Sequence, residues 1–178
     1  AFFAGKGLES PALLPMVRGR LVAVNGRPVV AADYEEERAQ RLVEREFNLS
    51  WVSDLPEGNS LTAGRWFAAQ DAGTPQFSVE QGLADTLKLK LDDHLVYEIA
   101  GRRLEARISS LRKLDWDSMR VNFFVITTPS LLADYPASYL SSFYLPPERA
   151  RAGDELLKAF PNLLVIDTEA IITQVRHI

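Results

Sequence analysis

Residues able to do chemistry are few in this chain and lie far apart. Its two histidines, His94 and His177, are too distant in sequence to define a metal site, and each reads as solvated or structural. Asp115-Trp116-Asp117 offers paired carboxylates that could bind a metal ion or share a proton. Alternate residues of a strand point to opposite faces, however, so the two carboxylates diverge unless the backbone turns there. The favoured reading is a turn or helix cap, with Trp116 as packing. Ser109, Ser110, Ser118, Ser141 and Ser142 lack the G-x-S-x-G elbow that presents a nucleophile, and neither histidine lies in a triad context. No glycine-rich phosphate loop of the nucleotide- or dinucleotide-binding kind occurs. The sequence thus leads us to expect no enzyme, no bound metal and no cofactor.

Composition narrows the classes further. A chain of 178 residues that is 47% hydrophobic can bury a core, as one domain or two small lobes. A formal net charge of −4, with Arg residues scattered among acids, argues against nucleic acid or an anionic membrane surface as partner. The absence of cysteine rules out disulfides and says nothing about compartment. No run approaches the ~20 apolar residues of a membrane span. The opening Ala1-Phe2-Phe3-Ala4 is neither a signal peptide nor a Met start, which suggests an excised piece.

The elements that must position these residues are organised around Ser78–Thr128. Ser78 stands three residues before Gln81, the spacing of a capping box, and Leu83, Leu87 and Leu91 recur every four residues, predicting a short amphipathic helix. After a tight turn at Asp92-Asp93 the period becomes two. Leu95, Tyr97 and Ile99 form one face, Ala100-Gly101 a turn, and Leu104, Ala106 and Ile108 the answering strand. Upstream, Met16–Val30 alternates about Asn25-Gly26, a strong hairpin signal. Ala31–Phe47 is acid-rich, with Asp33 as a candidate cap, and reads as an exposed, loosely held helix or loop. Asn48–Asp54 and Asn122–Thr127 read as strands, Ala137–Leu145 as a strand with bulk on both faces, Glu148–Phe160 as a helix turning Leu156, Leu157 and Phe160 inward, Leu163–Asp167 as a buried strand, and Thr168 onward as a last helix. Turn-forming stretches at Asp71–Pro75 and Thr128-Pro129 mark candidate lobe boundaries.

Phe123-Phe124 and Phe143-Tyr144 place consecutive rings on opposite faces of presumed strands. Either both faces are buried, or one ring of each pair contributes to an exposed apolar patch of the kind that marks interaction sites. Arg112, Lys113 and Arg120 read as a solvated edge.

Residues 82–101, GLADTLKLKLDDHLVYEIAG, followed by ISSLRKLDWDSMRVNFFVI at 108–126, resemble the extracytoplasmic domain of FtsX-like, MacB-type ABC-transporter permeases. The superfamily includes the LolC/LolE proteins, and the nearest likeness is to the YbbP-type permeases. The resemblance runs from Val17-Arg18-Gly19-Arg20 through Gly64-Arg65-Trp66-Phe67 to Ser141-Ser142-Phe143-Tyr144-Leu145-Pro146. One departure is Asp92, where the family usually has Gly, a residue that tolerates positive φ more readily. The resemblance implies an α+β fold in two lobes: a discontinuous Porter-like strand-helix-strand lobe at 1–68 and 128–178, and an inserted β-rich Sabre-like lobe at 69–127.

It further implies a non-catalytic domain facing the periplasm, on a bacterial inner-membrane permease that transmits motion from a cytoplasmic ABC ATPase. The ATPase would be reached through transmembrane helices absent from this chain, and the permease would work as a dimer. The substrate would be hydrophobic or lipid-like, or the domain would engage a periplasmic partner such as a lipid hydrolase. Candidate surface residues are Trp116, Asn122, Phe124, Phe143 and Tyr144. The alternative is a stand-alone soluble module that binds a lipid or hydrophobic compound. On either reading the purified chain should not turn over ATP; phosphate release above that of an unrelated control protein would contradict both.

Overall fold

The computed structural model describes residues 2–71, 73–115, 120–129, 131–166 and 168. Two compact units are present, one of residues 12–142 and one combining 1–11 with 143–178.

In the first unit the alternating stretch after Pro11 becomes an eleven-residue strand, β1 (Leu14–Val24), followed by β2 (Arg27–Pro28). The dipeptide between them behaves as its composition requires: Asn25 and Gly26 take φ of 49° and 75°, and Val24 pairs with Arg27. Next come α2 (Glu37–Glu44), β3 (Phe47–Trp51), β4 (Asn59–Gly64), β5 (Gln76–Glu80), α3 (Gln81–Leu87), β6 (His94–Ile99), β7 (Arg102–Leu114), β8 (Val125–Thr127) and β9 (Ser138–Leu140). The second unit holds α1 (Phe2–Gly5) and α4 (Arg151–Ala159). Both helix and strand are present, as the α+β expectation requires, and strands predominate in the first unit.

The strand pairing closes on itself. β1 pairs with β3, β3 with β8, β8 with β5, β5 with β7, β7 with β6, and β6 again with β1. The ring has an interior because side chains of non-adjacent strands meet within it. The Tyr97 ring of β6 lies 5.5 Å from Phe77 of β5 and 6.2 Å from Phe47 of β3, both edge to face. The main apolar cluster draws on all six ring strands, with Ala39 and Val43 of α2 and Leu83, Ala84 and Leu87 of α3 packed against it. A smaller cluster of Met16, Phe67, Phe123 and Ile126 occupies the opposite face. Gly19 is where β1 is crowded most: a Cβ there would lie 2.7 Å from Ile99 Cγ1 and 2.9 Å from Leu49 Cδ1.

β1 and β3, from residues 1–68, pair with β6 and β8, from residues 69–127. Turn-rich composition marks the end of an element, whereas a long strand such as β1 can serve several partners along both edges. Ser78 does not cap α3 but lies inside β5, and Glu80 takes that role, its carboxylate accepting Gly82 N–H at 2.8 Å and Leu83 N–H at 2.6 Å. Asp33 belongs to a short 3-10 turn, and α2 begins at Glu37. That helix is held by two buried positions four residues apart, Ala39 and Val43, which suffice where acids crowd the rest. The ribbon of β6 and β7 forms as predicted, with Ala100 and Gly101 at φ of 50° and 77°. Asp92 adopts φ of 70°, so the backbone keeps the left-handed conformation despite the side chain.

In the second unit α4 buries Ala152 and Leu156, while Leu157 and Phe160 stay exposed on its surface. Phe2 meets Phe160 at 6.1 Å and Phe3 meets Phe143 at 4.9 Å, and Lys6 pairs with Glu155. Leu163–Ile166 is exposed and forms no strand, because no described strand edge pairs with it; Asp167 and the expected last helix lie outside the described residues.

The Tyr97 hydroxyl, fully buried in the ring, has no hydrogen-bond partner among the described residues, and burial pushes its pKa upward. Tyr97→Phe keeps the ring contacts and removes the desolvated hydroxyl, so it should raise stability by about 1 kcal/mol, read as a higher urea midpoint with unchanged slope.

Candidate functional site

Parallel β5 and β7 place Ser78, Ser110 and Arg112 side by side within the fold. β7 reaches this register through an irregularity between the Phe77–Ile108 and Ser78–Ser110 pairs. Arg112 is 0% exposed. Its Nε donates to Ser78 Oγ at 3.0 Å, Nη1 to Asn59 Oδ1 at 2.7 Å, and Nη2 to the carbonyl of Phe123 at 2.7 Å and, more weakly, that of Ser78 at 3.4 Å. Ser110 Oγ completes the cluster against Ser78 Oγ at 2.8 Å, and Asn59 Nδ2 donates to Asn122 Oδ1 at 3.2 Å. One guanidinium thereby fastens β4, β5 and β7 to the segment entering β8. Burial pushes its pKa down to about 10, partly offset by the Glu80 carboxylate. Its hydrogen-bond partners are neutral acceptors, and the charge is balanced by Glu80, which faces Arg112 across the β5–β7 pair.

The motif Gly64-Arg65-Trp66-Phe67 forms a second fixed point. Arg65 grips Asp71 with two nitrogens, at 2.6 and 3.2 Å, and Asp71 also accepts Ala68 N–H at 2.8 Å; this holds the Asp71 carboxyl well below the usual carboxylate range. Trp66 Nε1 donates to Ser53 O at 2.8 Å and stacks on Phe67 at 4.5 Å. The loop after β3 is thus fixed, and it forms one wall of an open groove of about 530 Å³. Leu13, Trp51, Leu55, Pro56, Pro129 and Tyr139 line it, with Leu13 67% and Tyr139 61% exposed. This concave, mostly apolar surface, with Ser53 and Asp54 among its lining residues, could accept an apolar group or an extended chain.

The residues singled out from the sequence part company here. Phe123 packs into the smaller cluster, while Phe124 packs on the main one, 6.3 Å from Phe47, with the Arg45 guanidinium 5.9 Å over its ring. Asn122 belongs to the Arg112 network. Phe143 and Tyr144 lie in the other unit; Phe143 is partly covered by Phe3, and Tyr144 is 78% exposed. Trp116, Asp117, Ser118 and His177 lie outside the described residues. His94 is exposed beside Glu105 at 3.6 Å. Ser110 is an interior hydrogen-bonding residue, and Ser109 reaches Phe77 O at 3.4 Å.

Arg112 is not the solvated edge its sequence neighbours suggested: Lys113 is exposed and Arg120 pairs with Glu57 at the surface, whereas Arg112 is buried. A signal for it was available in the polar alternation of Ser78 and Glu80 with Ser110 and Arg112, which can be recognised once β5 is read as a strand. The groove had no such signal, because Leu13, Trp51, Pro129 and Tyr139 come from four separate stretches.

Comparison with curated proteins connects the chain to ABC transporter permeases. The relative is the uncharacterized ABC transporter permease YbbP of Escherichia coli (strain K12), 33% identical over 179 residues that cover 98% of this chain and 20% of that protein. Along nearly its whole length the chain is similar to a segment of that permease, and it spans about a fifth of the length of the curated relative it matches. No family model matches the chain, and no solved structure matches it significantly. Among the described residues no helix is long and apolar enough to cross a membrane.

Removing the guanidinium should strand the carbonyl of Phe123 and the side chain of Asn59. We expect Arg112→Leu to cost about 3 kcal/mol or more in denaturant melts, and Lys113→Ala to stay within about 0.5 kcal/mol.

Proposed function

We propose that this chain is the periplasmic domain of an FtsX-like, MacB-type permease of the bacterial inner membrane. On this reading a cytoplasmic ABC ATPase drives it through transmembrane helices outside the chain. Two permease copies work together, passing motion across the membrane rather than opening a channel. The domain does no chemistry of its own; it offers an apolar surface to a hydrophobic or lipid-like substrate, or to a periplasmic partner such as a lipid hydrolase. The correspondence with Porter-like and Sabre-like lobes is part of the proposal, with the strand ring containing portions of both.

The observation that carries the reading is the likeness to a permease segment along 98% of the chain. The groove at Leu13, Trp51 and Tyr139 supports it, as does the exposed ring of Tyr144. Exposed apolar surface of this kind is suited to transient capture.

The test uses the whole permease with its ATPase, reconstituted in vesicles carrying a fluorescent lipid-like probe. Tyr139→Ser and Tyr144→Ser, both at exposed positions, should change stability by no more than about 0.5 kcal/mol yet reduce ATP-dependent probe movement severalfold. Phe124→Ser should instead lose about 2 kcal/mol of stability, because it removes a ring packed on Phe47. Unchanged probe movement in both tyrosine variants would overturn the assignment of these surfaces.

A further inference from the structure

The Asn25-Gly26 turn is used by nothing in the functional reading above, yet its chemistry is the most reactive in the chain. In an Asn-Gly pair the glycine amide nitrogen, on giving up its proton to solvent base, can attack Cγ of the asparagine. The Cγ–Nδ2 bond then breaks, ammonia leaves with a proton from solvent, and a five-membered imide remains. Water opens that imide at either carbonyl, giving aspartate or isoaspartate. No oxidant or co-reactant other than water is needed, and glycine accelerates the step because it has no side chain to hinder approach.

Two features of the turn bear on this reaction. Both residues are exposed, and a Cβ built on Gly26 would meet nothing within 4 Å, so solvent reaches the attacking nitrogen freely. The Asn25 carboxamide, by contrast, is held at both ends. Its Nδ2 donates to Asp93 Oδ1 at 2.8 Å, and its Oδ1 accepts His94 N–H at 2.8 Å. Asp93 is itself fixed, its other carboxylate oxygen accepting Lys90 N–H at 2.8 Å. Asn25 N–H completes the tie by donating to His94 O at 2.8 Å. For Cγ to rotate onto the Gly26 nitrogen, both side-chain bonds must open.

We propose that Asn25-Gly26 is a deamidation site kept closed by Asp93 and His94, and that its modification loosens the end of the strand ring. The turn lies where β1 joins β6, with Val24 opposite Leu95. Deamidation replaces the Nδ2 donor with a carboxylate oxygen facing Asp93, turning an attractive contact into a like-charge one. The isoaspartate product also lengthens the backbone within a two-residue turn whose φ values are closely defined. Covalent ageing at one exposed dipeptide is thereby coupled to the pairing that closes the ring. The inference does not depend on the permease reading.

The experiment incubates the 178-residue protein in mildly alkaline buffer, folded and in denaturant, and follows deamidation by peptide mapping and mass spectrometry. The folded protein should convert at least about tenfold more slowly than the denatured one, and Asp93→Ala about tenfold faster than the folded wild type, as expected for the loss of one bond to a charged acceptor. Asp93→Asn keeps an acceptor oxygen and should stay close to wild type. Equal rates for folded and denatured protein would overturn the proposal, as would an Asp93→Ala variant that is folded and no faster. Asn25→Asp provides a measurement independent of that variant: the amides of Val24 and Leu95 should exchange faster with solvent, and adding Asp93→Asn should restore their protection. Unchanged exchange in Asn25→Asp would refute the coupling to the ring.

Discussion

Six strands joined in a closed ring enclose a volume that their inward side chains must fill without gaps, and most features of this protein follow from that constraint. Phe47, Phe77 and Tyr97 meet edge to face across the interior, and Gly19 supplies the relief that lets β1 pass between Leu49 and Ile99. The ring abolishes strand edges along its circuit and confines open edges to the short additions β2, β4 and β9. The same closure buries the Tyr97 hydroxyl without a partner among the described residues, a cost that ring packing outweighs.

Arg112 is the polar counterpart of that aromatic interior. A buried guanidinium is expensive unless its donors are met, and here they are met by a serine, an asparagine and two carbonyls from different strands. Those acceptors must all be in place at once. The side chain therefore specifies how β4 and the segment before β8 sit on the sheet, as well as adding to stability. Arg65 with Asp71 does the same at the surface for the Gly64–Phe67 loop, and through Trp66 it sets one wall of the groove.

The groove at Leu13, Trp51 and Tyr139 is one apolar surface open to solvent, and Tyr144, Leu157, Phe160 and Leu163–Ile166 are exposed as well. Among the described residues no group of three or more His, Asp or Glu could hold a metal ion. Ser78 and Ser110 are occupied with one another, and His94 faces solvent beside Glu105.

Local chemistry was legible from the sequence. Asn25-Gly26 had to turn because both residues tolerate positive φ, Ala100-Gly101 turns about its glycine, and the two-residue period of Leu95, Tyr97 and Ile99 had to place them on one face. The permease likeness was equally readable, since it resides in runs of consecutive residues. The sequence by itself could not reveal which edges pair, because hydrogen bonds between strands carry no residue code. β5 was therefore hidden behind the capping-box spacing of Ser78, and Arg112 was grouped with exposed Lys113. Tertiary structure alone decided that Phe124 packs inward on Phe47 while Tyr144 remains in solvent: consecutive aromatics announce bulk on two faces, but only the arrival of distant strands and helices determines which faces are covered.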